Sequence, residues 1–193
     1  MKNFLKVTFS VIVLAILIII VRGKNEEENA KIEAERAKAK TEAGKRGLTE
    51  ATVLYTFDGD TIQVSIDGEE KSLRFVGVDT PESVNPDKEK NTPEGKVASE
   101  FTKGYLTKGM KVYLEFDEVI QDKYERMLAY VWLSAEIDME SYEDFCKNNY
   151  GAILLQETYC RAEYIPPNGK YYEWYKQLEE ENQGKMAKQT SQS

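Results

Sequence analysis

The chain has 193 residues, 41% of them hydrophobic, enough for one domain with a real core plus appendages. It contains no histidine, which removes imidazole bases, His-ligated zinc and Ser-His or Cys-His nucleophilic machinery and leaves the chemistry to carboxylates, arginine, lysine, tyrosine, hydroxyls or metals. The net charge is -8, with cations in excess before Leu48 and acids after it, so a polyphosphate backbone is held weakly unless the few cations gather at one site or bound cations assist.

Residues 1–24 form a leader. Lys2 and Lys6 precede an apolar run from Val7 to Val21, broken by Thr8 and Ser10 and closed by Arg22. The run lies between a long signal-peptide core and a short membrane helix, which needs roughly 17 residues or more. Arg22 and Lys24 spoil a cleavage point after Gly23, so an uncleaved membrane anchor over residues 4–22 is favoured over a cleaved signal peptide. Lys2 and Lys6 oppose Arg22 and Lys24, so charge gives only a mild bias toward a domain outside the cell. The expected location is the cell membrane with the folded domain outside, or secretion after cleavage.

Residues 25–47 are almost wholly Glu, Lys, Ala, Arg and Asn, with Ile32 the single large aliphatic before Leu48. Glu/Lys pairs support a solvated helix there, but no face can be buried, so the segment reads as a semi-rigid charged spacer.

Residues 48–184 read as the folded domain. Ala51 to Phe57 is a first strand; Ile62, Val64 and Ile66 alternate with polar residues in a second. Asp67-Gly68 turns that strand into Lys71 to Val78, completing a meander. Thr92-Pro93 is a helix entry, and Val97, Phe101 and Tyr105 at four-residue spacing predict its buried stripe, with Gly109 ending it. Val112, Leu114 and Phe116 mark a fourth strand, and Met127 to Leu133 a fifth, apolar enough to be central. Ile153 to Tyr159 predicts a short helix, and Tyr171, Trp174, Tyr175 and Leu178 a last one. From Gly184 onward the composition is that of a polar tail, taken as residues 185–193. The expected class is α+β, a five-stranded Greek-key barrel of the OB type with about three helices, preceded by a hydrophobic helix and the charged helical spacer. Cys146 and Cys160 are too few for a zinc site or a multi-bridge scaffold, leaving one disulfide or two small buried side chains as equal readings.

Three clusters carry candidate chemistry: Asp58-Gly59-Asp60-Thr61, Arg74 through Asp79-Thr80-Pro81-Glu82, and Asp122-Lys123-Tyr124-Glu125-Arg126. Taken singly they read as a turn, a salt bridge with a loop, and a solvated connection. On a closed barrel, however, the end of the first hairpin, the end of the third strand and the start of the fifth face one another. Two aspartates, a glutamate and two arginines then converge. Phosphodiester hydrolysis needs such parts: a hard cation on phosphate oxygens, a base for water, and fixed positive charge for the transition state. Carboxylate and carbonyl oxygens suit Ca²⁺ or Mg²⁺, and the arginine fork matches phosphate.

The strings F-D-G-D-T-I, L-R-F-V-G-V-D-T-P-E and D-K-Y-E-R-M-L-A-Y resemble, in order and spacing, the three signature segments of the staphylococcal nuclease family, over about Ala51 to Tyr175. The resemblance implies a barrel that binds Ca²⁺ and cleaves DNA and RNA at the 5′ side of the phosphodiester, leaving 3′-phosphates. It implies Asp60 and Asp79 as calcium ligands together with the carbonyl of Thr80, and Glu82 as general base. Arg74 and Arg126 would clamp the phosphate, while Lys123, Tyr124 and Tyr164 would line the nucleotide pocket. A monomer is expected, with nucleic acid as substrate and no protein partner implied.

The chain departs from the family pattern at several places. Glu125 and Met127 flank Arg126 where the family commonly has glycines, and the Glu125 carboxylate is expected to point outward. Ala135 to Gly151 reads as an insertion, after which Leu154, Leu155, Tyr159 and Ala162 resemble the helix following the fifth strand. The last helix lacks the family's tryptophan near its end. A catalytically inactive barrel acting as a binding or scaffold module at the membrane is the alternative; the presence of all five site residues favours the enzyme.

Overall fold

The computed structural model describes residues 22–24, 26–32, 34, 44, 46–157 and 159–190, with residues 184–190 by backbone alone. The apolar run Val7–Val21 lies outside the described residues, and so does much of the spacer, whose described residues are exposed and helical except for a turn at Arg46-Gly47. Among the described residues no helix is long and apolar enough to cross a membrane. The chain separates into two units, residues 1–41 and 42–193, and the described strands all belong to the second.

Strands β1 (Thr49–Asp58), β2 (Thr61–Ile66) and β3 (Glu69–Phe75) form the expected antiparallel meander. Asp67 and Gly68 both take positive φ, 50° and 89°, the twist that a two-residue hairpin turn requires. A two-residue strand, β4 (Val78–Asp79), follows the turn at Gly77. After helix α1 (Pro93–Tyr105) come β5 (Lys111–Glu115) and β6 (Met127–Trp132). The barrel closes in the order β1-β2-β3-β6-β5, with β5 antiparallel to β1 and β6 parallel to β3. Inward residues Val53, Ile62, Val64, Leu73, Phe75, Val112, Leu114 and Val131 fill the interior. This is the mixed α+β closed barrel that the alternation of polar and apolar residues predicts.

Thr92 caps α1 by accepting from the Gly95 amide at 3.0 Å, with Pro93 at the first helical position. The buried stripe is not the one expected. Gly95, Ala98 and Thr102 face inward, whereas Val97 is 52% and Tyr105 39% exposed. Close approach decides the helix's rotation: a Cβ on Gly95 would stand 2.2 Å from the Glu82 carbonyl oxygen. Polarity decides it too, because the Thr102 hydroxyl donates to the Gly59 carbonyl at 2.6 Å and accepts from the Tyr150 hydroxyl at 3.0 Å. Hydrophobic periodicity weights large side chains, and here the small ones dock.

The expected insertion is itself helical. Helix α2 (Tyr142–Asn148) is capped by Ser141, and α3 (Tyr150–Gln156) begins at once behind Asn149, which ends one helix and caps the next. Phe145 of α2 is fully buried among Trp132, Tyr171 and Tyr175, at ring separations of 6.3, 5.6 and 4.9 Å. Helix α3 ends at Gln156, before Tyr159, whose ring packs 4.6 Å from Phe101 instead. A two-residue strand, β7 (Arg161–Ala162), pairs antiparallel with β4. Helix α4 (Tyr172–Thr190) buries Tyr175 and Leu178 as expected, and its backbone stays helical as far as Thr190, within the stretch read as a polar tail. Tyr175 also explains Gly77: its φ is +93°, and a Cβ there would lie 2.1 Å from the tyrosine ring.

Thr102→Val would strip both a donor from the Gly59 carbonyl and an acceptor from Tyr150 in a buried position. We expect a loss of about 3 kcal/mol, measured by urea denaturation.

Candidate active site

Four short segments meet at one end of the barrel. They are the Gly59-Asp60 turn between β1 and β2, the β3 end with β4 and the loop after it, the β5–β6 loop, and β7 with the residues following. Asp58 is buried and accepts from the Gly59 amide at 2.8 Å, the Ser83 amide at 3.1 Å and the Ser83 hydroxyl at 2.7 Å. It thereby ties down the residue after Glu82. From the other side the Thr92 amide donates to the Glu82 carbonyl at 2.9 Å, so the Glu82 backbone is held between the barrel and α1.

Asp60 is also buried. Its Oδ2 accepts from both the amide and the hydroxyl of Thr80 at 2.9 Å, and its Oδ1 from the Thr61 hydroxyl at 3.0 Å. Gly59 makes room for this embrace, since a Cβ there would lie 2.8 Å from the Thr80 side chain. The D-G-D-T string is thus more than a turn.

Arg74 projects from the end of β3 into the same space. Its Nη1 donates to the carbonyls of Phe75 at 2.9 Å and Val78 at 2.7 Å and lies 3.3 Å from Asp60 Oδ2. Its Nη2 donates to Asp79 Oδ1 at 3.2 Å and Glu163 Oε2 at 3.1 Å. The other oxygen of Asp79 is taken by Arg161, whose Nε and Nη2 approach Oδ2 at 3.1 and 2.8 Å. Arg126 is held by Asp122 in the manner of a clasp, with Nε at 2.8 Å and Nη2 at 2.7 Å from one carboxylate oxygen. The amides of Tyr124 and Arg126 donate to the other oxygen at 2.8 and 3.0 Å. Burial pushes the Asp122 carboxyl up, but Arg126 and these two amides outweigh it and hold the group below the usual carboxylate range.

The five residues singled out by their chemistry, Asp60, Arg74, Asp79, Glu82 and Arg126, line one cleft of about 370 Å³. Asp58, Asp122 and Glu163 share its walls, so six carboxylates face two guanidiniums. The surplus is felt at Glu163, whose carboxyl is pushed above its ordinary range, first by burial and next by the charge of Asp79, against the pull of Arg74 and Arg161. Among the described residues, no three acidic or cysteine side chains are close enough to hold a metal ion by themselves. Two carboxylates, a backbone carbonyl and water remain a sound set for a hard cation, which takes oxygens and tolerates water among its ligands. Two arginines already converge on Asp79, so positive charge collects where such an ion would rest. The residues fit Ca²⁺ or Mg²⁺ and not a metal that seeks nitrogen or sulfur.

Thr80 stands beside Asp60, as its hydrogen bonds require. Lys123 and Tyr124 sit on the exposed tip of the β5–β6 loop. The lysine ammonium lies 4.9 Å and the Arg126 guanidinium 5.5 Å from the centre of the Tyr124 ring. They flank Arg126 but do not line the cleft. Tyr164 turns to Tyr172, at a ring separation of 5.2 Å, while its neighbours Glu163 and Ile165 line the cleft. Arg161 and Glu163 give no signal in the sequence because a two-residue strand carries no periodicity. The place of Arg161 opposite Asp79, and of Glu163 beside Gly77, follows only from the pairing of β4 with β7.

Glu125 is exposed, as expected, and occupies φ +64° in the turn that presents Arg126. Left-handed backbone costs a side-chain-bearing residue roughly 1–2 kcal/mol, partly offset in a glycine variant by its freer unfolded chain. Glu125→Gly should therefore stabilise the domain by about 1 kcal/mol, read from the shift in the denaturation midpoint.

Comparisons with known proteins bear on the family. A family model described as staphylococcal nuclease homologue matches residues 72–188. A thermonuclease of Staphylococcus hyicus is 42% identical over 146 residues, covering 73% of this chain and 76% of its own length. A thermonuclease of Staphylococcus intermedius is 37% identical over 184 residues, 94% of this chain and 95% of the relative. Endonuclease YncB of Bacillus subtilis is 35% identical over 136 residues, 69% of this chain and 58% of its own. A core built on this barrel, a cleft where five chemically apt residues converge and full-length similarity to a thermonuclease lead to one assignment: the chain belongs to the staphylococcal nuclease family.

Proposed function

We propose that this nuclease uses Ca²⁺ to hydrolyse phosphodiester bonds of DNA and/or RNA and leaves 3′-phosphate ends. The observation that carries the reading is the convergence of Asp60, Arg74, Asp79, Glu82 and Arg126 on one cleft, with similarity to thermonucleases in support. Asp60, Asp79 and the Thr80 carbonyl would hold the cation. Once bound, it supplies positive charge to the phosphate oxygens.

The rest falls to the chain's own groups. Glu82, its backbone pinned through Ser83 and Thr92, takes the proton of the attacking water. Arg126 offers a guanidinium already oriented by Asp122, and Arg74 one oriented by two carbonyls. Such preorientation means that little reorganisation is needed as charge builds on the phosphorus oxygens. For Arg74, binding the phosphate requires releasing a present acceptor, and Glu163 is more exposed than Asp79.

The apolar run Val7–Val21 between Lys6 and Arg22 supports a membrane-held or secreted enzyme acting outside the cell as part of this proposal. Protease shaving of intact cells, with the size of the mature chain read in parallel, separates the two.

Digestion of single-stranded DNA should proceed with Ca²⁺ and stop with chelator. Arg126→Ala and Glu82→Ala should each lower the rate about 100-fold or more while the far-ultraviolet circular dichroism is unchanged. Labelling of product ends before and after phosphatase reports the 3′-phosphate. A wild type as inert as both variants, with its fold intact, would make the barrel a binding or scaffold module. The acidic surface adds a second expectation: the affinity should fall gently with monovalent salt and depend strongly on divalent ions, and a slope equivalent to many neutralised phosphates would contradict it.

A further inference from the structure

A second cavity, of about 690 Å³, opens behind the wall that bounds the cleft. Asp79 and Glu82 line both spaces, so the strip from Asp79 to Glu82 is a ridge with a hollow on each side. The far hollow is faced by Pro81, by Val97 of α1 and by the ring of Tyr159, and its lining residues include one cation, Arg161. Val97 and Tyr159 are also the edge of a shallow groove of about 440 Å³ that continues along α1 past Phe101. A phosphodiester lying over the ridge has a nucleoside on each side of it. The cleft where Arg74 and Arg126 hold the scissile phosphate takes the nucleoside on its own side, and the hollow, lined by Pro81, Val97 and Tyr159 together with the carboxylates of Asp79, Glu82 and Glu94, has the size for the other.

Arg161 is the cation placed to serve that hollow. Its side chain is 71% exposed, and the hydrogen bonds it makes among the described residues run to a single oxygen, Asp79 Oδ2. Arg74, by contrast, is buried and anchored by two backbone carbonyls besides its carboxylates. When Asp79 serves a cation, the two positive charges compete for one oxygen. Arg161, on an exposed arm with no backbone anchor, is the partner that leaves. Released at the rim of the hollow, its fork meets the next phosphate along the strand.

We propose that Arg161 is a third phosphate-binding arginine, serving the nucleotide beyond the scissile one and seated in the hollow behind Asp79–Glu82. The inference rests on the nuclease reading above and extends it to a longer substrate footprint.

The test uses single-stranded oligothymidylates of two and six nucleotides with phosphorothioate linkages, their binding followed by fluorescence anisotropy in Ca²⁺. The dimer spans the ridge but carries no further phosphate. Arg161→Ala should lose about tenfold in affinity for the hexamer and less than about twofold for the dimer, and Arg161→Lys should recover most of the loss. Calorimetric titration of Ca²⁺ into protein without oligonucleotide should show Arg161→Ala binding the ion about threefold more tightly than wild type, because a competitor for Asp79 is gone. Equal losses on both lengths, or none on either, overturn the inference, as does unchanged or weaker Ca²⁺ affinity. A wild type that cleaves DNA but binds both lengths alike sinks the Arg161 proposal alone. A wild type that neither binds nor cleaves sinks the nuclease reading with it.

Discussion

Arg74 is a charge that the fold has taken out of water, and the site is arranged around that fact. A buried guanidinium is costly unless its hydrogens are met, and the carbonyls of Phe75 and Val78 and the carboxylates of Asp79 and Glu163 meet them. Those partners come from separate parts of the chain: the end of β3, the two residues of β4, and the segment after β7. Asp60, 3.3 Å away, adds the turn between β1 and β2. One side chain therefore pulls together segments far apart in sequence and makes their convergence a condition of stability. The carboxylates it gathers include Asp60 and Asp79, those proposed to hold the cation.

Much of this was legible in the sequence because the barrel strands alternate cleanly. Ile62, Val64 and Leu73 are buried where the period of two puts them, and the Asp67-Gly68 turn follows from its dipeptide. The three clusters could be placed at one barrel end from strand order alone. Legibility failed where docking depends on small or polar residues. Helix α1 turns Gly95, Ala98 and Thr102 inward, and its large side chains partly outward, because backbone contact with Glu82 and a hydroxyl relay from Tyr150 to Gly59 outweigh apolar area. Helix α2 escaped notice because its buried content is Phe145, one residue among acids and amides. Arg161 and Glu163 were invisible for a further reason. Their significance arises from a long-range strand pair only two residues long.

The site solves an electrostatic problem in layers. An acidic domain facing a polyanion cannot rely on diffuse attraction, so its positive charge is placed rather than spread. Asp122 orients Arg126, Asp79 receives both Arg74 and Arg161, and Lys123 and Arg126 stack against Tyr124. The surplus of carboxylates over guanidiniums in the cleft is the charge imbalance that the proposed divalent ion would offset.

The relay through Thr102 carries one more implication. Gly59, which precedes Asp60, is hydrogen-bonded to α1, and through it to Tyr150 packed on Phe75 within the barrel interior. The aspartate turn is therefore no independent flap. Local opening there requires breaking the Thr102 bond, which couples the turn to α1. A turn tied to the helix in this manner is expected to lose its shape on warming together with the docking of α1.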